Sequence, residues 1–211
     1  MGFGLLLIGY FFVSVVSLYS PFSFAMLIGY PLMITGLWRL APYQRNFRTA
    51  FYLSPLSLPF ALYYAFFSME QWGLIRLSIL SGSFYQTVEW LYFVFVLLFT
   101  TLWLYGILSL CRELELLKLQ SPAVRALFLF LAMYVLDLIS RLPIAFITEH
   151  RAVLAIPVLF MRLLIIFLIL YLLYGCYRYI APEDEAPTDY SDPTEKAFEF
   201  LKNKKKGGNK K

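Results

Sequence analysis

The sequence predicts an all-α fold: a polytopic integral membrane helix bundle of about six transmembrane helices, with both termini cytoplasmic. Three observations carry that expectation. Of 211 residues, 61% are hydrophobic and 15% charged, against about 25% charged in a soluble domain. The charges are also unevenly placed, with 11 Lys/Arg and 6 Asp/Glu in residues 1–180 but 7 Lys and 7 Asp/Glu in residues 181–211. Finally, the apolar runs between charges are long enough to cross a hydrocarbon layer ~30 Å thick at ~1.5 Å per helical residue. The chain is therefore divided into a transmembrane domain, 1–180, and a charged, mostly disordered cytoplasmic tail, 181–211.

No charged side chain occurs before Arg39. A single helix over that stretch would be about 57 Å long, far more than one crossing needs. Ser20-Pro21-Phe22-Ser23 supplies the break, because proline lacks an N–H and restricts the residue before it. Two spans result, 3–19 and 23–40. No charged n-region precedes the first, so it is read as retained rather than as a cleaved leader.

A third span covers 49–68, between Arg48 and Glu70. The segment Trp72 to Leu80 contains Arg76 and is too short to cross; with Ser81-Gly82-Ser83 it reads as an interfacial helix and turn. The fourth span, 86–110, ends where Cys111-Arg112-Glu113 meets water. The fifth and sixth, 126–147 and 152–177, are joined by the turn Thr148-Glu149-His150-Arg151.

Lys and Arg mark the cytoplasmic side. With both termini inside, the inner loops hold Arg39, Arg45, Arg48, Arg112, Lys118 and Arg125, and the outer segments hold Arg76 and Arg151. That bias sets the orientation. The expected location is the bacterial cytoplasmic (plasma) membrane, with the lipid bilayer as first partner. Cys111 and Cys176 fall at inner, reducing ends of spans, where small apolar filler is expected rather than a disulfide.

Ionisable residues inside a membrane are costly and mark function or a buried pairing. Asp137 and Arg141 lie four apart on one helix and share a face. Across the tight turn, Arg162 falls at a depth similar to Arg141. These three, Asp137, Arg141 and Arg162, are the expected ligand-binding residues. They suggest an outward-facing cationic pocket, because guanidinium suits carboxylate or phosphate. The competing expectation is structural: Asp137 neutralises Arg141 while the arginines snorkel to the interface. Arg76, Arg151, His150 and Glu89 could contribute to the pocket from its rim; otherwise Glu89 sits at the outer interface, where its charge needs no special account. Pro31, Pro55, Pro59, Pro143 and Pro157 interrupt apolar segments, as broken helices do around transporter sites.

Ala25, Gly29 and Gly36 fall on one face of the second span, a pattern that permits close helix approach, within the chain or between copies. The tail carries a second pattern. Asp192-Pro193-Thr194-Glu195 is a helix-start signal, and Lys202, Lys204, Lys205, Lys206, Lys210 and Lys211 make the end polybasic. These lysines are expected to attract anionic lipid of the inner leaflet.

Absences narrow the chemistry. A single histidine, His150, sits in an outer turn, so neither a His-Glu-x-x-His metal site nor a Ser-His dyad can form within the bilayer. No phosphate-binding loop occurs, and two cysteines cannot make a zinc site. No cofactor or metal is expected, enzymatic activity is disfavoured, and the scattered cations do not form a nucleic-acid footprint. The leading expectation is a transport-related protein: a small permease, or a membrane-embedded solute-binding subunit. The alternative is a non-catalytic scaffold or assembly subunit of a membrane complex that contacts other membrane subunits.

Overall fold

A computed structural model describes residues 2–18, 20–74, 83–141 and 151–180. Every element among them is helical: α1 (Gly2–Ser14), α2 (Met26–Leu40), α3 (Arg45–Leu53), α4 (Ser57–Gln71), α5 (Ser83–Glu113), α6 (Leu117–Ser140) and α7 (Arg151–Tyr179). Short 3-10 segments lie at Val16–Leu18, Ser20–Ala25 and Ser54–Leu56. The expected interfacial helix beyond Leu74, the turn before α7 with Pro143, Glu149 and His150, and the whole charged tail lie outside the described residues.

Five stretches are long and apolar enough to cross a membrane: Phe22–Leu40, Arg45–Gln71, Phe84–Glu113, Leu117–Ser140 and Ile156–Tyr179, preceded by the shorter apolar Gly2–Leu18. The first pass is the exception in length. Thirteen residues of α-helix in α1 span about 20 Å. Beyond Ser14 the chain tightens into 3-10 geometry, and the Ser17 hydroxyl turns back to donate to the Val13 carbonyl. Ser20–Ala25, at the expected proline break, then leads into α2.

The third pass is one crossing made from α3 and α4, and its chemistry explains the joint. Pro55 has no N–H to offer the Phe51 carbonyl; Ser54 Oγ donates to that carbonyl instead, at 2.6 Å. Ser57 Oγ likewise donates to the Ser54 carbonyl at 2.6 Å. Both carbonyls are satisfied inside the chain, as hydrocarbon surroundings require. At the far end Gly73 adopts φ 72°, its N–H donating to Glu70 and that of Leu74 to Met69, which closes α4 in a Schellman cap.

Contacts at the two ends fix the course of the chain. At one end Phe3 packs on Phe47 (ring centroids 6.2 Å), and Gly2 and Gly4 lie against Leu40 and Tyr177. At the other, Phe24 meets Trp72 at 5.5 Å and Tyr63 meets Phe84 at 5.9 Å. The passes therefore alternate in direction, and Gly2 and Tyr179 finish at the same end of the bundle.

The glycine face of α2 is used within the chain. A Cβ on Gly9 would stand 2.7 Å from the Gly29 carbonyl oxygen, and one on Gly29 2.8 Å from that of Gly9. Gly36 meets the Gly2 carbonyl in the same way, at 2.9 Å. Helices in lipid gain little from burying apolar surface against each other, so this backbone-close packing supplies the dispersion contact that holds them. Around it lies a core including Leu6, Leu37, Phe47, Trp103 and Ile107, none with exposed surface. The outer surface is apolar too: Phe128, Phe160 and Phe167 are each at least 66% exposed. Such an outward face suits lipid, not water.

Candidate functional site

The three expected ligand residues divide into two environments. Arg141 is the C-cap of α6, half-buried, and Asp137 lies one turn before it. Its Nη1 donates to Glu89 Oε1 of α5 at 3.0 Å, and its Nη2 faces Asp137 Oδ2 at 3.3 Å. The guanidinium carbon also lies 5.0 Å from the Phe93 ring centre and 5.7 Å from that of Trp90. One cation is thus held by two carboxylates and two aromatic faces, which leaves the cluster one negative charge in excess. Glu89, expected at the outer interface and the pocket rim, is the residue that ties α5 to α6 here.

Arg162 stands elsewhere. It lines a cavity of about 150 Å³ among α1, α2, α5, α6 and α7, and neither Asp137 nor Arg141 reaches that wall. Among the described residues Arg162 has no carboxylate partner, and it is the one charged side chain of the lining. The rest of the polar wall is hydroxyl: Tyr10, Ser14, Ser17, Tyr30, Tyr92, Thr100 and Tyr134. Of the lining side chains, Leu18 and Arg162 are exposed and the others are buried or half-buried, so these two mark the open side.

Local geometry orders the wall. The Tyr30 and Tyr92 hydroxyls share a hydrogen bond of 2.8 Å between α2 and α5, and Tyr92 Oη also lies 3.8 Å from Met26 Sδ. Phe60 and Tyr64 of α4 brace Tyr92 from behind, at 5.4 and 4.9 Å. Tyr10 and Ser14 lie one turn apart on α1, and Tyr10, Tyr92 and Tyr134 share the cavity wall with Arg162. Tyr134 joins the two environments. Its ring packs on Phe93, which lies under Arg141, at 4.8 Å, and its hydroxyl belongs to the cavity wall.

With this geometry in view, similarity adds nothing further. No protein family matches this sequence, and no curated protein or solved structure gives a significant match. What the arrangement can do must therefore come from its chemistry. Arg162 offers a forked set of N–H donors, the phenols and Thr100 can donate or accept, and Met33, Met133 and Phe130 supply an apolar wall. Among the described residues there is no cluster of three or more metal-ligating side chains.

The tyrosines are the part of the site that the charge pattern leaves out. A signal for them exists in the spacing. Tyr10, Ser14 and Ser17 recur at intervals of four and three in a segment without charges, which draws a polar stripe along α1 and the 3-10 turn after it. Tyr85, Glu89 and Tyr92 repeat that interval on α5. The described prolines Pro31, Pro55, Pro59 and Pro157, in contrast, do not lead to the cavity, since none of them lines it.

Proposed function

We propose that this integral membrane protein is transport-related, a small permease or the solute-binding membrane subunit of a larger transporter, and that Arg162 contacts the solute. The observation that carries this reading is an arginine without a carboxylate partner among the described residues, set in a hydroxyl-lined cavity between five helices. An intramembrane cation set this way calls for a partner from outside the chain. Asp137 and Arg141 belong to the same proposed machinery at the rim, where their pairing with Glu89 fixes the α5–α6 side of the cavity.

In the proposed orientation both termini face the cytoplasm of a bacterial cell. Arg39, Arg45, Arg48, Arg112 and Lys118 cluster at one end of the helices, which supports placing that end inside. The cavity then lies in the outer half of the bundle, and the lysine-rich tail lies beside anionic lipid of the inner leaflet. The scaffold alternative gains less support, because the glycine face suited to an intermolecular contact is taken by α1.

The test is solute binding to the purified protein in lipid nanodiscs, by thermal shift across a panel of small anions, cations and neutral compounds. At least one solute is expected to stabilise the wild type and to lose that effect in Arg162→Gln. A solute that stabilises both proteins equally moves the site away from Arg162 and defeats the proposal.

A further inference from the structure

We infer that the ligand of the Arg162 cavity is a small monoanion with a compact apolar body, in chemical terms a short-chain or aromatic monocarboxylate. This rests on the solute-binding reading above and narrows it to a substrate class. The charge balance comes first. The cavity wall holds one cation and, among the described residues, no carboxylate. A single negative charge neutralises Arg162, whereas a dianion leaves an uncompensated charge against a wall whose other polar side chains are buried or half-buried. A neutral solute leaves the guanidinium donors without their strongest acceptor.

The volume sets the size. About 150 Å³ equals the void that accommodates one benzene ring in an engineered protein cavity. A nucleotide or a sugar phosphate is too large. A bare inorganic oxyanion, at the other extreme, fills little of the space and leaves Met26, Met33, Met133 and Ile165 facing nothing. These side chains argue for an apolar body, and the methionines adapt their shape to one.

Hydrogen bonding sets the polarity of the head. Tyr30 and Tyr92 already bond each other at 2.8 Å. Tyr134 has no hydrogen-bond partner among the described residues, and it shares the cavity wall with Arg162. A carboxylate can accept from the guanidinium with both oxygens and from Tyr134 with a remaining lone pair. The apolar body then points toward Phe130 and Phe99, which lie in the buried part of the wall.

The experiment uses the full chain in nanodiscs with three probes: benzoate, its neutral isostere benzamide, and sulfate as a dianion without an apolar body. Benzoate is expected to bind about 10- to 100-fold more tightly than benzamide, the range that a charge-assisted hydrogen bond provides, and more tightly than sulfate. Arg162→Gln should erase the difference between benzoate and benzamide. Tyr134→Phe, a milder change at one hydroxyl, should weaken benzoate several-fold and leave benzamide unchanged. Equal binding of benzoate and benzamide overturns the monoanion class, as does a preference for sulfate. If either competitor still depends on Arg162, the solute-binding reading stands while this class falls. If none of the three binds and the wider solute panel is also silent, both fall together.

Discussion

Arg141 and Glu89 are 52 residues apart in the sequence, yet their side chains meet at 3.0 Å between α6 and α5. Asp137 takes the other arm of the same guanidinium at 3.3 Å. Removing the cation alone leaves two carboxylates facing each other at a half-buried position. Arg141→Met is therefore expected to lower stability by about 1–3 kcal/mol, the range for hydrogen bonds to charged groups. The triple replacement Glu89→Gln, Asp137→Asn, Arg141→Met should recover most of that loss, because no charge remains unpaired. Thermal unfolding in nanodiscs measures both. An Arg141→Met protein as stable as the wild type would show that the cluster contributes nothing to the fold.

Two glycines separate two kinds of cost. At Gly9 an added methyl would stand 2.7 Å from the backbone oxygen of Gly29, so α1 and α2 must move apart. At Gly73 nothing lies within 4 Å of an added methyl, but φ is 72°, in the left-handed region. Gly9→Ala is expected to cost about 1–3 kcal/mol through overpacking, and Gly73→Ala about 1 kcal/mol through backbone strain alone. The two are told apart by Gly73→Asn. Asparagine tolerates the left-handed region and should restore part of the loss, whereas Gly9→Asn should be worse than Gly9→Ala.

How much of this was legible in the sequence follows from what each feature depends on. The apolar lengths and the Pro21 break depend on local chemistry, and the helical bundle emerges from them directly. The joint at Pro55 was likewise legible, since Ser54 and Ser57 stand beside the carbonyls they satisfy. The Asp137–Arg141 pair is legible because four residues make one helical turn. Glu89 is not, because its partner lies on another helix and nothing local sets the rotation of α5 against α6. Arg162 was recognisable as an intramembrane cation, but its separation from Arg141 depends on the same rotations. The tyrosine wall was obscured by composition. With 16 tyrosines in the chain, only three-dimensional packing shows that Tyr10, Tyr30, Tyr92 and Tyr134 converge.

The two cysteines give a prediction about access. Cys111 of α5 and Cys176 of α7 are free thiols with no exposed surface. A maleimide needs to reach the sulfur. Both thiols are therefore expected to resist labelling in the folded protein and to react fully after denaturation in SDS, as counted by intact mass. Rapid labelling of the native protein would require α5 and α7 to part at this end.

The turn between α5 and α6 offers a gain in stability. Glu115 has φ 54°, with its own N–H donating to the Arg112 carbonyl and that of Leu116 to Cys111, the two bonds of a Schellman cap. In that cap glycine is preferred, because a Cβ in the left-handed region crowds the following carbonyl. The Glu115 side chain is exposed and makes no hydrogen bond or ion pair among the described residues, so little is lost on removing it. Its charge also sits at the C-terminal end of α5, where the helix dipole disfavours an anion. Both terms point the same way, and Glu115→Gly should stabilise the fold by about 0.5–1 kcal/mol, reduced somewhat by the greater freedom of glycine in the unfolded chain. Glu115→Asn should give a smaller gain and Glu115→Val a loss, since a branched Cβ makes the left-handed region worse. Thermal unfolding of the three variants in one lipid composition checks the order. Glycine and valine variants of equal stability would mean that the cap does not hold in the membrane.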